Sequence, residues 1–201
     1  THGVTVGRSQ RERIVGSVVR TNIVDSASPI AYGYGDQLSV YCSDCPAFDV
    51  SNTAGRGGFR RLGAEINGRP TGRGTIGDPD FVVGRKDEPA PVEPSVQPWE
   101  AEPVTTEQLR NGVGVIPPQY RPRVIFRYAD SHDLLVSGLV EGGDEIAQRP
   151  AIVDVPMDSG HVVLFGNNPV YRGETQGSYS LVLNTILNFD NLNAGRKLDK
   201  Q

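Results

Sequence analysis

A chain of 201 residues is long enough to bury a substantial core as one domain with a long insertion. Its net charge of −4 supplies no electrostatic drive toward nucleic acid or an anionic membrane surface, and it nowhere approaches the roughly 18 consecutive apolar residues of a membrane-spanning helix. With 24 glycines and 15 prolines, much of it must be loop.

The chain begins at Thr1 and its single methionine is Met157. We therefore expect either a removed leader or a domain incomplete on its N-terminal side. Thr1 to Gln10 is polar and gives no clear element. Arg13 to Val24 reads as one strand or two, because Gly16-Ser17 interrupts its apolar run, and Asp25-Ser-Ala-Ser-Pro29 signals a turn. Ile30-Ala-Tyr-Gly-Tyr-Gly35 reads as a loop packing its tyrosines onto a sheet, and Leu38 to Cys42 alternates like a strand.

From Ser51 to Pro118 the composition changes. Glycines and arginines crowd Gly55 to Gly77, and prolines crowd Pro89 to Pro103. This stretch, 51–118, reads as an irregular Pro/Gly/Arg-rich insertion, with one short helix at Thr105 to Arg110 capped by Thr105 or Thr106. Regular structure resumes with a strand at Arg123 to Ala129. A turn at Asp130 to Asp133, a helical or extended Leu134 to Val140 and a helical turn at Gly142 to Ala147 follow.

The closing segment is the richest. Ala151 to Val155 and His161 to Phe165 are short runs of β-branched and apolar residues, as in buried strands, and the turn-formers Pro156 to Gly160 between them predict a hairpin. Gly166-Asn-Asn-Pro169 ends the second run. After a polar loop, Tyr179, Val182, Leu183, Ile186 and Leu187 make one helical stripe from about Ser178, which predicts a helix lying on the sheet.

Few residues invite chemistry. Cys42-Ser-Asp-Cys45 holds half a zinc site, runs thiol redox chemistry, or closes a small disulfide. Zinc needs more ligands, and there is no second CxxC and only His2, His132 and His161. Redox catalysis prefers a CxxC that opens a helix, whereas this one closes a strand and runs into Pro46, so we favour a Cys42–Cys45 disulfide in an exported chain. For His132, between Asp130 and Asp133, a loop-capping turn is simpler than a general base. His161 reads as a strand-edge residue. The arginine-glycine stretches Arg56 to Gly58 and Arg69 to Gly74 read as solvated loop rather than an RNA-binding segment. Asn167, Asn168, Arg172, Glu174 and Gln176 form a candidate binding loop just ahead of the helix, where exposed N–H groups suit an anion; helix capping explains the same residues without a ligand.

Pro150 to Gly166, Pro169 to Gly177 and the helix to Phe189 together resemble the C-terminal end of bacterial secreted zinc carboxypeptidase-like proteins, which carry a domain similar to class I glutamine amidotransferases after the peptidase. Ser28 to Gly33, Ser39 to Phe48 and Arg123 to Glu141 agree with it, and the insertion lies outside the resemblance. It implies a flavodoxin-like α/β sheet with helices. It does not imply an active enzyme: Cys42 and Cys45 sit in no strand-to-helix elbow, and Gly166 occupies the place of the late-strand histidine.

The expectation is a non-catalytic structural module without cofactor or metal. It would bind protein partners in a larger extracytoplasmic, periplasmic assembly, membrane-associated assemblies included, and would not bind nucleic acid. The alternative is the C-terminal fragment of an active secreted zinc metallocarboxypeptidase.

Overall fold

The computed structural model describes residues 2–7, 13–54, 103–110 and 114–196. Twelve strands run through them: β1 (Val4–Gly7), β2 (Arg13–Ile14), β3 (Ser17–Ile23), β4 (Gln37–Cys42), β5 (Ala47–Val50), β6 (Thr53–Ala54), β7 (Gly114–Val115), β8 (Arg123–Tyr128), β9 (Leu135–Ser137), β10 (Val140–Glu141), β11 (Pro150–Met157) and β12 (Gly160–Phe165). Two α-helices accompany them, α1 (Thr106–Arg110) and α2 (Tyr179–Leu187), with short 3-10 turns at Pro29–Ala31, Pro118–Tyr120, Gly143–Glu145 and Gln176–Ser178.

The main sheet has the order β12-β11-β8-β3-β4, with β9 also on β3, and every pairing in it is antiparallel. Strand β3 shares one edge between two partners: its second half pairs with β8 through Thr21 to Ile23, and its first half with β9 through Val18 and Val19. Register shifts at Ile152 on β11 and at Val18/Val19 on β3 mark bulges, which sharpen the twist and help curl the sheet into a half-barrel.

This corrects the expected flavodoxin-like, amidotransferase-like α/β sheet. Strand makes up 38% and helix 19% of the structure, and among the described residues there are two α-helices and no helix layer that sandwiches a parallel sheet. The error has a physical source. A run such as Ala151-Ile-Val-Asp-Val155 without polar alternation marks a strand covered on both faces, which is the habit of parallel sheets flanked by helices. Here the strand is covered on both faces by other means. Ile125, Phe126, Tyr128, Ala151 and Ile152 belong to the main core, together with Val19, Val40, Ile30 and Leu181. Val153 and Val155 belong to a second cluster with Val124 and with Phe48 from the separate β1–β5 ribbon, which takes the part a helix layer would have played.

The local elements follow the sequence more closely. Arg13 to Val24 is two strands, broken where Gly16 takes a φ of +60°. Leu134 to Val140 is extended rather than helical. The hairpin β11–β12 forms with Met157 paired to Gly160 across a two-residue turn, where Asp158 accepts the left-handed φ of +49°. The helix at 106–110 has its cap: Thr105 Oγ1 accepts from the Gln108 N–H at 3.3 Å and Gln108 Oε1 from the Thr105 N–H at 2.9 Å. Thr53 and Ala54 pair with Val115 and Gly114, so the two ends of the insertion meet in β6–β7. The arginine-glycine stretches Arg56 to Gly58 and Arg69 to Gly74 lie outside the described residues.

The largest departure within an element concerns α2. Only Leu181 is buried, with Asn184 Nδ2 donating to the carbonyls of Ile30 (3.2 Å) and Tyr32 (2.8 Å), while most of the predicted apolar stripe faces away from the sheet.

Gly166, where the resemblance would place a histidine, has no room for a side chain. A Cβ there would come within 2.5 Å of the Pro46 carbonyl and 2.7 Å of the Tyr128 hydroxyl. Tyr128 donates to the Gly166 carbonyl (2.7 Å) and the Gly166 N–H donates to Ala151 O (2.7 Å), so the backbone is held on both sides. Gly166→Ala should lower unfolding stability by roughly 1–3 kcal/mol through overpacking, measured by urea denaturation; an unchanged midpoint would contradict the close approach.

Candidate functional site

Asp154 stands in the middle of β11 and is fully buried (0% exposed). A carboxylate in that position is costly unless it is paired, and two residues pair it. Residues Asp154 and Val163 are cross-strand partners in the hairpin, so His161, two residues earlier on the same face, is a diagonal neighbour. Its Nδ1–H donates to Asp154 Oδ1 at 2.7 Å. Arg196, from the far end of the chain, donates through Nη2 to Asp154 Oδ2 at 3.2 Å and through Nη1 to the Arg121 carbonyl at 2.7 Å. Burial holds the Arg196 guanidinium below its ordinary range, an effect that Asp154 opposes.

A second arginine reinforces the arrangement. Arg123 faces Asp154 across the β8–β11 ladder. It forks onto Asp25 (Nε to Oδ2 2.6 Å, Nη2 to Oδ1 3.1 Å) and donates through Nη1 to the carbonyls of Leu192 (3.2 Å) and Ala194 (2.7 Å). Arginine 123 grips the backbone of the segment after α2, and Arg196 anchors its end.

His161 therefore is more than a strand-edge residue. It lines a cleft of about 310 Å³ with Gln119, Tyr120, Pro156, Asp158, Ser159, Gly160 and Asn193. With Nδ1–H committed to Asp154, Nε2 is left without a partner among the described residues. Sequence reasoning missed this dyad, although its signal was present: a lone acid inside an Ile-Val-Asp-Val run demands a cation or a donor, and a two-residue turn fixes which residue of the next strand can reach it.

The predicted sites are distributed differently. Cys42 and Cys45 are joined in a disulfide, and both are buried in the main core, at the point where β4 ends. His132 is exposed on its turn, where the backbone N–H donates to Asp130 Oδ1 at 3.3 Å, as a loop-capping role requires. Of the candidate binding loop, Asn167 is turned inward, 7% exposed, with both carboxamide atoms unpartnered among the described residues. Asn168 donates its N–H to Tyr41 O at 3.0 Å. Gln176 is exposed at the start of the 3-10 turn before α2, and Arg172 and Glu174 are exposed on a tight turn closed by Glu174 N–H to Tyr171 O at 2.8 Å. That turn is pinned by the stacking of Tyr171 on Tyr41 (4.5 Å, 5° between planes), with Arg172 5.3 Å above the Tyr171 ring. The structure thus separates the buried carboxamide of Asn167 from the exposed side chains of Arg172, Glu174 and Gln176.

The third feature is α2 itself. Leu183, Ile186 and Leu187 are 55%, 61% and 76% exposed, and Phe189 just beyond is 73% exposed. The helix sequence Tyr-Ser-Leu-Val-Leu-Asn-Thr-Ile-Leu contains no charged residue.

No described protein family, curated protein or solved structure matches the chain. Among the described residues, no helix is long and apolar enough to cross a membrane.

Two stability effects follow. Asp154→Ala should cost about 3–5 kcal/mol, because it strands the buried Arg196, and calorimetry should show it; a loss within half a kcal/mol would mean that the pair is solvated. Replacing both Cys42 and Cys45 by Ala removes a short covalent loop worth about 2 kcal/mol, read as a lower denaturation midpoint than that of the oxidised protein.

Proposed function

We propose that the chain is a non-catalytic protein-interaction module that docks through the outer face of α2. One observation carries this: a helix without charges leaves Leu183, Ile186, Leu187 and Phe189 open to solvent. Surface helices of a self-sufficient domain turn a polar face outward, and a helix apolar on both sides belongs between two layers. The sheet and the turn at Pro29–Ala31 supply one layer. The partner supplies the other, as an apolar protein surface. The face offers no cation for an anionic lipid headgroup, which favours protein over membrane.

An extracytoplasmic, periplasmic setting is part of the same proposal and is supported by the Cys42–Cys45 disulfide, since such bonds persist in oxidising compartments. Descent from a carboxypeptidase-associated domain rests on the closing residues Pro150 to Phe189. In the alternative, a fragment of a secreted zinc carboxypeptidase, the same face would be covered by the preceding peptidase domain.

The test is a double substitution, Ile186→Ser with Leu187→Ser. Both side chains are exposed, so monomer stability should change by no more than about 0.5 kcal/mol. Cross-linking from the native source, followed by mass spectrometry, should place a protein partner or a peptidase domain on residues 183–189 of the unaltered chain, and the double variant should abolish that contact. Cross-links that avoid this face would overturn the proposal, as would flotation of the purified chain with neutral vesicles that the variant abolishes.

A further inference from the structure

The interaction face leaves unexplained why a buried carboxylate holds a histidine at the edge of a polar cleft. We propose that this cleft, formed by the turn at Pro118–Tyr120, the β11–β12 hairpin and Asn193, binds a neutral, hydroxyl-rich ligand the size of a monosaccharide.

Its volume of about 310 Å³ matches the small end of ligand pockets, which begin at roughly 300 Å³. The lining chemistry then narrows the ligand. An apolar molecule is disfavoured, because Gln119, Tyr120, Asp158, Ser159, His161 and Asn193 all present polar groups. An anion is disfavoured too. Asp158 is part of the lining, and the neighbouring cations Arg196 and Arg123 are already bonded to Asp154 and Asp25. A tightly held metal ion needs three or four ligands, whereas the lining offers one imidazole and one carboxylate, and no group of three His, Cys, Asp or Glu side chains is placed to hold a metal among the described residues.

A sugar fits what remains. Hydroxyl groups both donate and accept, so they can meet Nε2 of His161 in either role, the Asp158 carboxylate as an acceptor, and the amides of Gln119 and Asn193 in either sense. Tyr120 is 42% exposed and offers a ring on which the C–H face of a pyranose can rest, with a hydroxyl at its rim. Asp154 is the positioning residue. By accepting from Nδ1–H it fixes the orientation of the imidazole, so that Nε2 is held in place before the ligand arrives.

Amide-resolved NMR titration of the full chain with glucose, galactose, mannose and N-acetylglucosamine tests this, with inorganic phosphate and zinc chloride as the competing chemistries. At least one sugar should bind in the millimolar range and shift resonances of Tyr120, Ser159, His161 and Asn193. Tyr120→Ala should weaken it roughly tenfold. Asn193→Ala is read in the same way and is the deciding variant if Tyr120→Ala disturbs the amide spectrum. The Ile186→Ser/Leu187→Ser variant should bind the sugar unchanged, which separates this site from the docking face. Pelleting with insoluble chitin or peptidoglycan would assign the site to a glycan chain, and binding of soluble sugar alone to a free one; either keeps the proposal. It is overturned if none of the sugars shifts these residues at tens of millimolar, if shifts arise elsewhere, or if phosphate or zinc occupies the cleft in their place.

Discussion

A carboxylate without access to water has to be neutralised where it stands, and in this protein the group in question is Asp154, in the strand next to the sheet's edge. Desolvating one such charge costs several kcal/mol, so the residues that repay it are fixed in position by necessity. His161 does so from the adjacent strand, which ties the β11–β12 hairpin to its own register. Arg196 does so from 42 residues further along, which brings the chain's last described turn back onto the sheet. Arg123, beside Asp154 on the ladder, grips the carbonyls of Leu192 and Ala194 on the way, and Leu192 enters the core. A single acid thus decides where the hairpin, the C-terminal segment and the cleft between them come to lie.

Around that point the sheet is organised by cover rather than by helices. Strand β11 is buried along nearly all its length, one face against the main core and the other against the cluster that includes the β1–β5 ribbon. The bulge at Ile152 lets Ala151 and Ile152 serve one core, while Val153 and Val155 serve the other. The same economy of cover explains α2. With the sheet already occupied, the helix is seated by Leu181 and by the Asn184 carboxamide on the backbone of Ile30 and Tyr32. Its richest apolar stripe is left over, and the proposed docking face is that remainder.

What the sequence disclosed follows the range of the forces involved. Local signals were legible: the break at Gly16, the hairpin at Asp158-Ser159, the Thr105 cap, and the helix after Ser178 each depend on residues a few positions apart. The two cysteines of the CxxC, three residues apart, lie at disulfide distance. Strand direction was not legible, because a continuous apolar run reports that both faces are covered and is silent on whether helices or another ribbon cover them. The side of α2 that faces inward was misjudged for a related reason. Periodicity shows that a helix has an apolar face, and only tertiary context shows which neighbour that face meets. The site around Asp154 was half legible: His161 follows from hairpin register, whereas Arg196 and Arg123 come from sequence separations of 42 and 31 residues that no local pattern connects.

The short β6–β7 pair has a consequence beyond its size. Ala54 and Gly114 leave and re-enter the fold side by side, clamped by Thr53 opposite Val115. With Ala54 and Gly114 held side by side, the free-energy cost of closing a chain between them grows only logarithmically, about 0.6 kcal/mol for each doubling of length. A change in the number of residues between Ala54 and Gly114 therefore costs the paired ends little.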